Sequence, residues 1–278
     1  MNKNDDLGNR MKGYENISRY YLTKKTPVII RIDGKAFHSF TKGFKRPFDD
    51  VLIKTMQETA KYLCKNIMGC KLAYTQSDEI SLLLVDYERN ESQPWFENNL
   101  QKMCSVSASI ATMAFNRIFT KEVNRWISDT SPGFHNPEPF EGWSKLYNAY
   151  ISACEKGAMF DARVFIIPKE EVCNYFIWRQ QDASRNSIQM VAQSMFSHKE
   201  LQNKNCKELQ ELIFQKTGIN WNDYNTVYKR GSCCIKENYL TDNNTERTRW
   251  IIDKDIPIFT QDRNYIDKYV FYEKEFCK

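Results

Sequence analysis

The sequence predicts an α+β fold: an antiparallel sheet of ferredoxin type with helices packed on it, followed by a helical C-terminal portion. Three observations support this. Within the first 168 residues, apolar segments follow the order strand, helix, strand, strand, helix, strand, which is the order of a split βαβ unit. From 169 to 225 the chain is polar, rich in Ser, Asn and Gln, and helical in pattern, with no internal repeat. A hydrophobic content of 41% with 14% aromatic residues over 278 residues supports one sizeable buried core. The expected organisation is a core domain over 1–168, completed by a helical and mixed region over 169–278.

Residues 1–26 are polar with a few aromatics (Tyr14, Tyr20, Tyr21) and suit a short helix leading into the first strand. Pro27 to Ile32 is β-branched and almost continuously apolar, as a strand buried on both faces would be, and it stops at Asp33-Gly34. Between Val51 and Ile67, Val51, Met56, Ala60, Leu63, Cys64 and Ile67 recur at helical spacing, and Gly69 ends the helix. Lys71 to Val85 places apolar strand formers on both sides of Gln76-Ser77-Asp78-Glu79, the pattern of a β-hairpin with carboxylates at its tip. A second helix is expected from about Trp95 to Phe119, and the Pro- and Gly-bearing stretch 129–143 reads as an irregular excursion. Phe160 to Pro168 is a further buried strand closed by proline. Residues 226–236 offer another strand, and 237–278 are charged and aromatic without periodicity.

Charge narrows the function classes only slightly. The net charge of +5, from 40 basic and 35 acidic residues, permits a phosphate-rich partner without demanding one. The nine cysteines form no CxxC and no zinc-spaced cluster, which argues for reduced thiols. The polar start lacks the apolar run of a secretion signal, and no stretch approaches the roughly 20 apolar residues of a membrane span. A soluble cytoplasmic protein is the expectation.

Asp33 follows an apolar strand directly, and Asp78 and Glu79 sit at the tip of a hairpin that a split βαβ sheet would lay beside that strand. Carboxylates from separate segments would then converge at one sheet edge. Two metal ions roughly 3.5–4 Å apart need such ligands, because hard cations take oxygen donors and their mutual repulsion must be neutralised. Gly34 fits, since a residue without a side chain lets its carbonyl approach a metal. Asp-Gly is also a common turn and Ser-Asp-Glu a common hairpin tip, so either motif alone would more often be structural. Together they indicate metal-dependent phosphoryl transfer.

The runs RIDGKAFHSF (31–40), KRPFDD (45–50), AYTQSDEISLLL (73–84), FDARVFIIP (160–168) and WRQQD (178–182) resemble the tRNA-histidine guanylyltransferase family, most closely its guanylyltransferase-like branch outside eukaryotes. The resemblance extends over about 7–236 and implies a polymerase-palm-like catalytic core that works in the 3′–5′ direction. A tRNA 5′ end would first be activated by ATP or GTP. The 3′-hydroxyl of an incoming nucleotide would then attack it, copying the opposite strand. The resemblance assigns Asp33 and Asp78 as catalytic metal ligands, the Gly34 carbonyl as a further ligand, and Glu79 as a required acidic neighbour. It places nucleotide contacts at Lys35, Phe37, His38, Arg46, Asp49, Ser77 and Lys102, and implies a homotetramer built as a dimer of dimers. Candidate tRNA contacts are Arg163, Arg179, Arg185, Asn186 and the pair Lys229-Arg230.

The sequence departs from the family pattern in three places. Members specific for histidine tRNA carry His-Ile-Asn-Asn after the WRQxD stretch, where this chain has Ser184-Arg185-Asn186-Ser187, which favours repair of 5′-truncated tRNAs over maturation of tRNA-His. Asn99 stands where eukaryotic members have an arginine that contacts triphosphate, and the 120–157 loop is longer. Two other readings stay open, a palm-type nucleotidyl cyclase and a non-catalytic RNA-binding protein. The Gln-Ser-Asp-Glu tip lacks the Gly-Gly-acidic turn of the cyclase, and three close carboxylates would repel RNA phosphates unless metal were bound.

Overall fold

The computed structural model describes residues 6–131 and 141–271. Helix α1 (Asp6–Ile17) buries no residue and precedes strand β1 (Val28–Gly34). The short α2 (Phe37–Phe40), α3 (Asp50–Asn66) and the hairpin β2 (Cys70–Gln76) and β3 (Glu79–Leu84) follow. Next come α4 (Leu100–Thr130), α5 (Trp143–Lys156), β4 (Phe160–Ile166) and α6 (Lys169–Met195). The chain continues through α7 (His198–Leu201), α8 (Cys206–Thr217) and α9 (Thr226–Arg230). It closes with β5 (Ser232–Leu240), β6 (Glu246–Asp253) and α10 (Asn264–Asp267).

All pairings are antiparallel and the strand order is β4-β1-β3-β2-β5-β6. The first four strands and the helices α3 and α4 between them form the split βαβ unit predicted from the segment order. β5 pairs with the open side of β2, so strands from both sides of residue 168 share one sheet.

A strand apolar on both faces needs cover on both, and the sheet has it. Ile30, Ile32, Ile80 and Leu82 pack against Met56, Ala60 and Leu63 of α3 and Met103, Phe115 and Phe119 of α4. On the other face Ile29, Leu72, Tyr74 and Leu83 meet Val172 and Phe176 of α6 and Ile256, Phe259 and Ile266 near the C-terminal end. The second half of α6 leaves the sheet and joins α8 through Ile188, Val191, Leu209, Ile213 and Trp221.

Local signals explain the ends of α3. Asp49 caps it by accepting from the Leu52 amide at 2.9 Å, a contact typically worth about 1 kcal/mol. Gly69, at φ +80°, then turns the chain so that its carbonyl accepts from Val85 at 2.9 Å.

Other expected boundaries moved. The second helix starts at Leu100 rather than near Trp95 because Asn99 is its N-cap, accepting from the Lys102 amide at 3.0 Å, and it runs to Thr130 instead of Phe119. A 3₁₀ turn with Phe96 and Glu97 in the left-handed region occupies Trp95–Asn98. Of the excursion expected over 129–143, Asp129 and Thr130 complete α4 and Trp143 begins α5, while 132–140 lie outside the described residues. The strand expected over 226–236 divides into α9 and the start of β5, and β5, β6 and α10 structure the tail where no periodicity was visible. The eight described cysteines are free thiols, and no described helix is long and apolar enough to cross a membrane.

Gly231 joins α9 to β5 at φ 79°, ψ −156°, a conformation essentially confined to glycine, and a Cβ there would lie 2.3 Å from the Thr75 carbonyl oxygen. Gly231→Ala is expected to destabilise the fold by about 3 kcal/mol, read as a lower urea midpoint at unchanged slope.

Candidate active site

Three strands bring acidic residues to one end of the sheet. Asp33 on β1 lies opposite Glu79 on β3 and Asp161 on β4. The Gly34 amide donates to the Asp78 carbonyl at 3.2 Å and the Lys35 amide to the Met159 carbonyl at 2.9 Å, so the Asp-Gly turn, the hairpin tip and the entry to β4 are tied together. Gly34 has no room for a side chain, since a Cβ would meet the Phe37 ring at 2.2 Å.

Asp33, Gly34, Ser77 and Asp78 line one wall of a cavity of about 540 Å³, and His38, Lys45 and Arg46 contribute another. Burial pushes the Asp78 carboxyl up from its ordinary value, and Asp33 adds repulsion in the same direction, while the Ser77 hydroxyl, donating at 3.0 Å, opposes both. Neither aspartate has a Lys or Arg ion-pair partner among the described residues. Two close carboxylates facing a cavity without a counter-charge fit a divalent cation. No group of three or more acidic, His or Cys side chains that could hold a metal occurs among the described residues. Asp33, Asp78 and the Gly34 carbonyl would therefore share a Mg²⁺ with phosphate oxygens and water, the usual manner of binding for that ion.

Glu79, expected beside the metal as a required acid, does not line the cavity and is held by two arginines. Its Oε2 accepts from Arg31 Nε at 2.8 Å and its Oε1 from Arg179 Nε at 2.7 Å, so both oxygens are engaged. Burial raises its pKa, and the guanidinium groups of Arg179 and Arg31 hold it down. Its carboxylate ties the hairpin to β1 and α6.

The predicted nucleotide residues divide into two groups. His38, Arg46, Ser77, Asp49 and Phe37 line the cavity, whereas Lys35 and Lys102 do not. Phe37 is buried and packs its ring against Phe40, Phe115 and Phe160, so it forms the cavity floor from the core side. The Asp49 carboxylate is committed within the protein, accepting from the Lys45 amide at 3.0 Å, the Leu52 amide at 2.9 Å and the Tyr150 hydroxyl at 2.8 Å. It anchors the loop from which Lys45 and Arg46 reach the cavity. Lys102 sits in the first turn of α4, where its ammonium lies 5.8 Å from the Phe96 ring. The Thr112 hydroxyl accepts from Phe160, the residue opposite Gly34, so Lys102 is ten residues, about 15 Å, along α4 from the level of the carboxylates.

The tRNA candidates also separate. Arg179 is 4% exposed and engaged by Glu79 and Asp182. Lys229 is also buried, with its ammonium donating to the Asn222 carbonyl. Asn186 lines a crevice between α6, α3 and α9. Arg163 is exposed on β4. Arg185 and Arg230 line a depression of about 450 Å³, and the buried Arg230 Nε has no hydrogen-bond partner among the described residues.

Residues 8–168 match the family model described as Thg1: tRNAHis guanylyltransferase, and 170–266 match the Thg1 C terminal domain. The chain belongs to the tRNA-His guanylyltransferase family. It is accordingly a nucleotidyltransferase. A tRNA(His) guanylyltransferase of Schizosaccharomyces pombe is 28% identical over 240 residues, 82% of this chain and 79% of that one. An uncharacterized protein, R259, of Acanthamoeba polyphaga mimivirus is 27% identical over 86% of this chain and 80% of its own length. Among solved structures, a bacterial tRNA(HIS) guanylyltransferase (Thg1)-like protein in complex with ATP is 45% identical, with a TM-score of 0.78 over 96% of this chain and 100% of that one. A bacterial Thg1-like protein in complex with GTP is 44% identical, with a TM-score of 0.76 and the same coverage.

Sequence reasoning about this family member missed Thr41 and Lys45 in the loop, and Met190 and Gln193 of α6, all of which line the cavity. Lys45 adjoins Arg46 in a basic run and was readable. Gln193 stands far away in sequence on a helix that only tertiary packing brings across, and nothing local marks it.

The buried Glu79 pair gives a stability test. Arg179→Met should cost about 3–5 kcal/mol by leaving a buried carboxylate half-neutralised, whereas Arg31→Met, at a site 22% exposed, should cost about 1 kcal/mol. The double variant Glu79→Gln/Arg179→Met should lose less than the sum of its single changes in the same denaturation experiment.

Proposed function

We propose that this chain is a metal-dependent 3′–5′ nucleotidyltransferase that activates a tRNA 5′ end with ATP or GTP and then adds nucleotides templated by the opposite strand. One observation carries the reading: two unpaired aspartates open into a cavity whose other wall supplies His38, Lys45 and Arg46. Likeness to bacterial Thg1-like proteins bound to ATP and to GTP supports the choice of nucleotides.

Both steps are in-line displacements at phosphorus, in which catalysis is mostly positioning and neutralisation of charge on phosphate oxygens. When bound, Mg²⁺ supplies Lewis acidity at those oxygens. Asp33 and Asp78 hold opposite sides of the reacting centre, one from β1 and one from the hairpin tip. Lys45 and Arg46 draw the triphosphate into the cavity, on a loop that Asp49 fixes through two backbone amides and Tyr150. The ion pairs around Glu79 keep the hairpin tip from drifting as phosphates enter and leave.

Repair of 5′-truncated tRNA is favoured over maturation of tRNA-His because Ser184-Arg185-Asn186-Ser187 replaces the histidine-specific motif. With sequence choice delegated to base pairing, the protein need recognise only backbone and shape.

Incubation with Mg²⁺, ATP, labelled nucleoside triphosphates and tRNA lacking its first nucleotide should extend the 5′ end by the complementary nucleotide. Extension confined to tRNA-His would replace the repair reading, and no extension would defeat the proposal. Asp33→Asn and Asp78→Asn should each reduce both activation and addition by a factor on the order of 10³ with the fold intact.

A further inference from the structure

We propose that Trp178 is a stacking platform for the terminal base of the RNA acceptor end, on the flank of Asp33 opposite the triphosphate cavity. This rests on the reading of the chain as an enzyme that acts on an RNA 5′ end. Antiparallel register puts Asp33, Glu79 and Asp161 on one face of the sheet, with Arg31, Ser81 and Arg163 beside them on the same face one step back. Further along, at Ile29, Leu83 and Phe165, α6 covers that face with an apolar cluster. At the level of Arg31, Ser81 and Arg163 the cover is no longer aliphatic: the Tyr175 hydroxyl meets that of Ser81 at 2.7 Å, and Trp178, 48% exposed, lies against Arg31.

The indole is held in place from the inside. The Arg179 guanidinium carbon lies 4.4 Å from the ring centroid, that of Arg31 5.9 Å, and the Tyr175 ring meets it edge-on at 5.9 Å. Arg179 is locked in turn by Glu79 and Asp182. A large aromatic fixed on its inner side and open on its outer side presents a π surface at little further entropy cost.

The charges nearby suit RNA rather than protein. The Arg163 side chain is 57% exposed, and its ion-pair contact with Asp161 spans 3.8 Å between two exposed groups, a weak interaction that a phosphate can displace. Arg31 is two residues from Asp33, about 7 Å along the strand, comparable to the reach from a nucleotide's base to its 5′ phosphate. A base stacked on Trp178 would therefore carry its 5′ phosphate to Asp33 while Arg163 meets the backbone. The triphosphate cavity opens from the other side, along α2, the loop before α3 and the second half of α6. The nucleotide and the RNA end would thus approach the aspartates from opposite flanks.

The test uses truncated tRNA with 2-aminopurine as its 5′-terminal base, titrated with full-length protein in the absence of triphosphate. Wild type should quench the probe. Trp178→Ala should abolish the quench and raise the RNA Kd about tenfold, and Trp178→Phe should restore most of both. The Kd for ATP and the melting temperature should be unchanged in all variants. If Trp178→Ala lowers the melting temperature, Trp178→Leu, which keeps apolar bulk without a π face, takes its place. An unchanged RNA Kd or a persisting quench overturns the platform while nucleotide addition by wild type still upholds the enzyme. Failure of wild type to extend the same tRNA defeats the functional reading itself.

Discussion

The Glu79 carboxylate, held between Arg31 and Arg179, is the interaction on which the site depends. It joins three elements: β1 through Arg31, the hairpin through Glu79, and α6 through Arg179. A buried charge of this kind adds little net stability, because desolvation offsets most of the attraction. Its value is geometric. The carboxylate is comfortable only where both arginines reach it, so the hairpin tip, with Asp78 next in sequence, has one position relative to Asp33. Repulsion between the two aspartates would otherwise push the tip away.

The same logic explains why so many polar side chains near the cavity face inward. Asp49, Tyr150 and the amides of Lys45 and Leu52 form one buried group that sets the path of the basic loop. Phe37, Phe40, Phe44, Phe115, Phe119 and Phe160 form an aromatic bed below it. The side chains facing phosphate can then be long and solvated, since their backbones are already fixed.

The core unit was legible in the sequence because strand and helix periods alternate cleanly and the turn residues stand where the turns are. Asp33, Gly34 and Asp78 were legible for the same reason: each interrupts an apolar strand at its end. The partners of Glu79, Arg179 and Lys229 were not. A charged residue reads as solvent-facing until its partner is known, and Arg179 lies a hundred residues from Glu79. Asn99 illustrates a related ambiguity, since the residue that suggested a lost phosphate contact is a helix cap. β5 and β6 escaped notice because, beyond the first three residues of β5, no side chain in them is fully buried: β5 goes on with alternate residues partly buried, and β6 is exposed over its first half and partly buried over its second.

The thiols carry a consequence for handling the protein. Cys64, Cys70, Cys233 and Cys234 are all buried against the sheet, with the Cys64 and Cys70 sulfurs 3.7 Å apart, and burial pushes the Cys64 and Cys233 thiols up so that they stay protonated. Folding therefore shields them from oxidation, which proceeds through the thiolate. Unfolding exposes them together at their ordinary acidity, free to cross-link in pairings that do not match the fold. Without reductant, denaturation of this chain becomes a one-way process whose half-life is set by the rate of opening rather than by the free energy of folding.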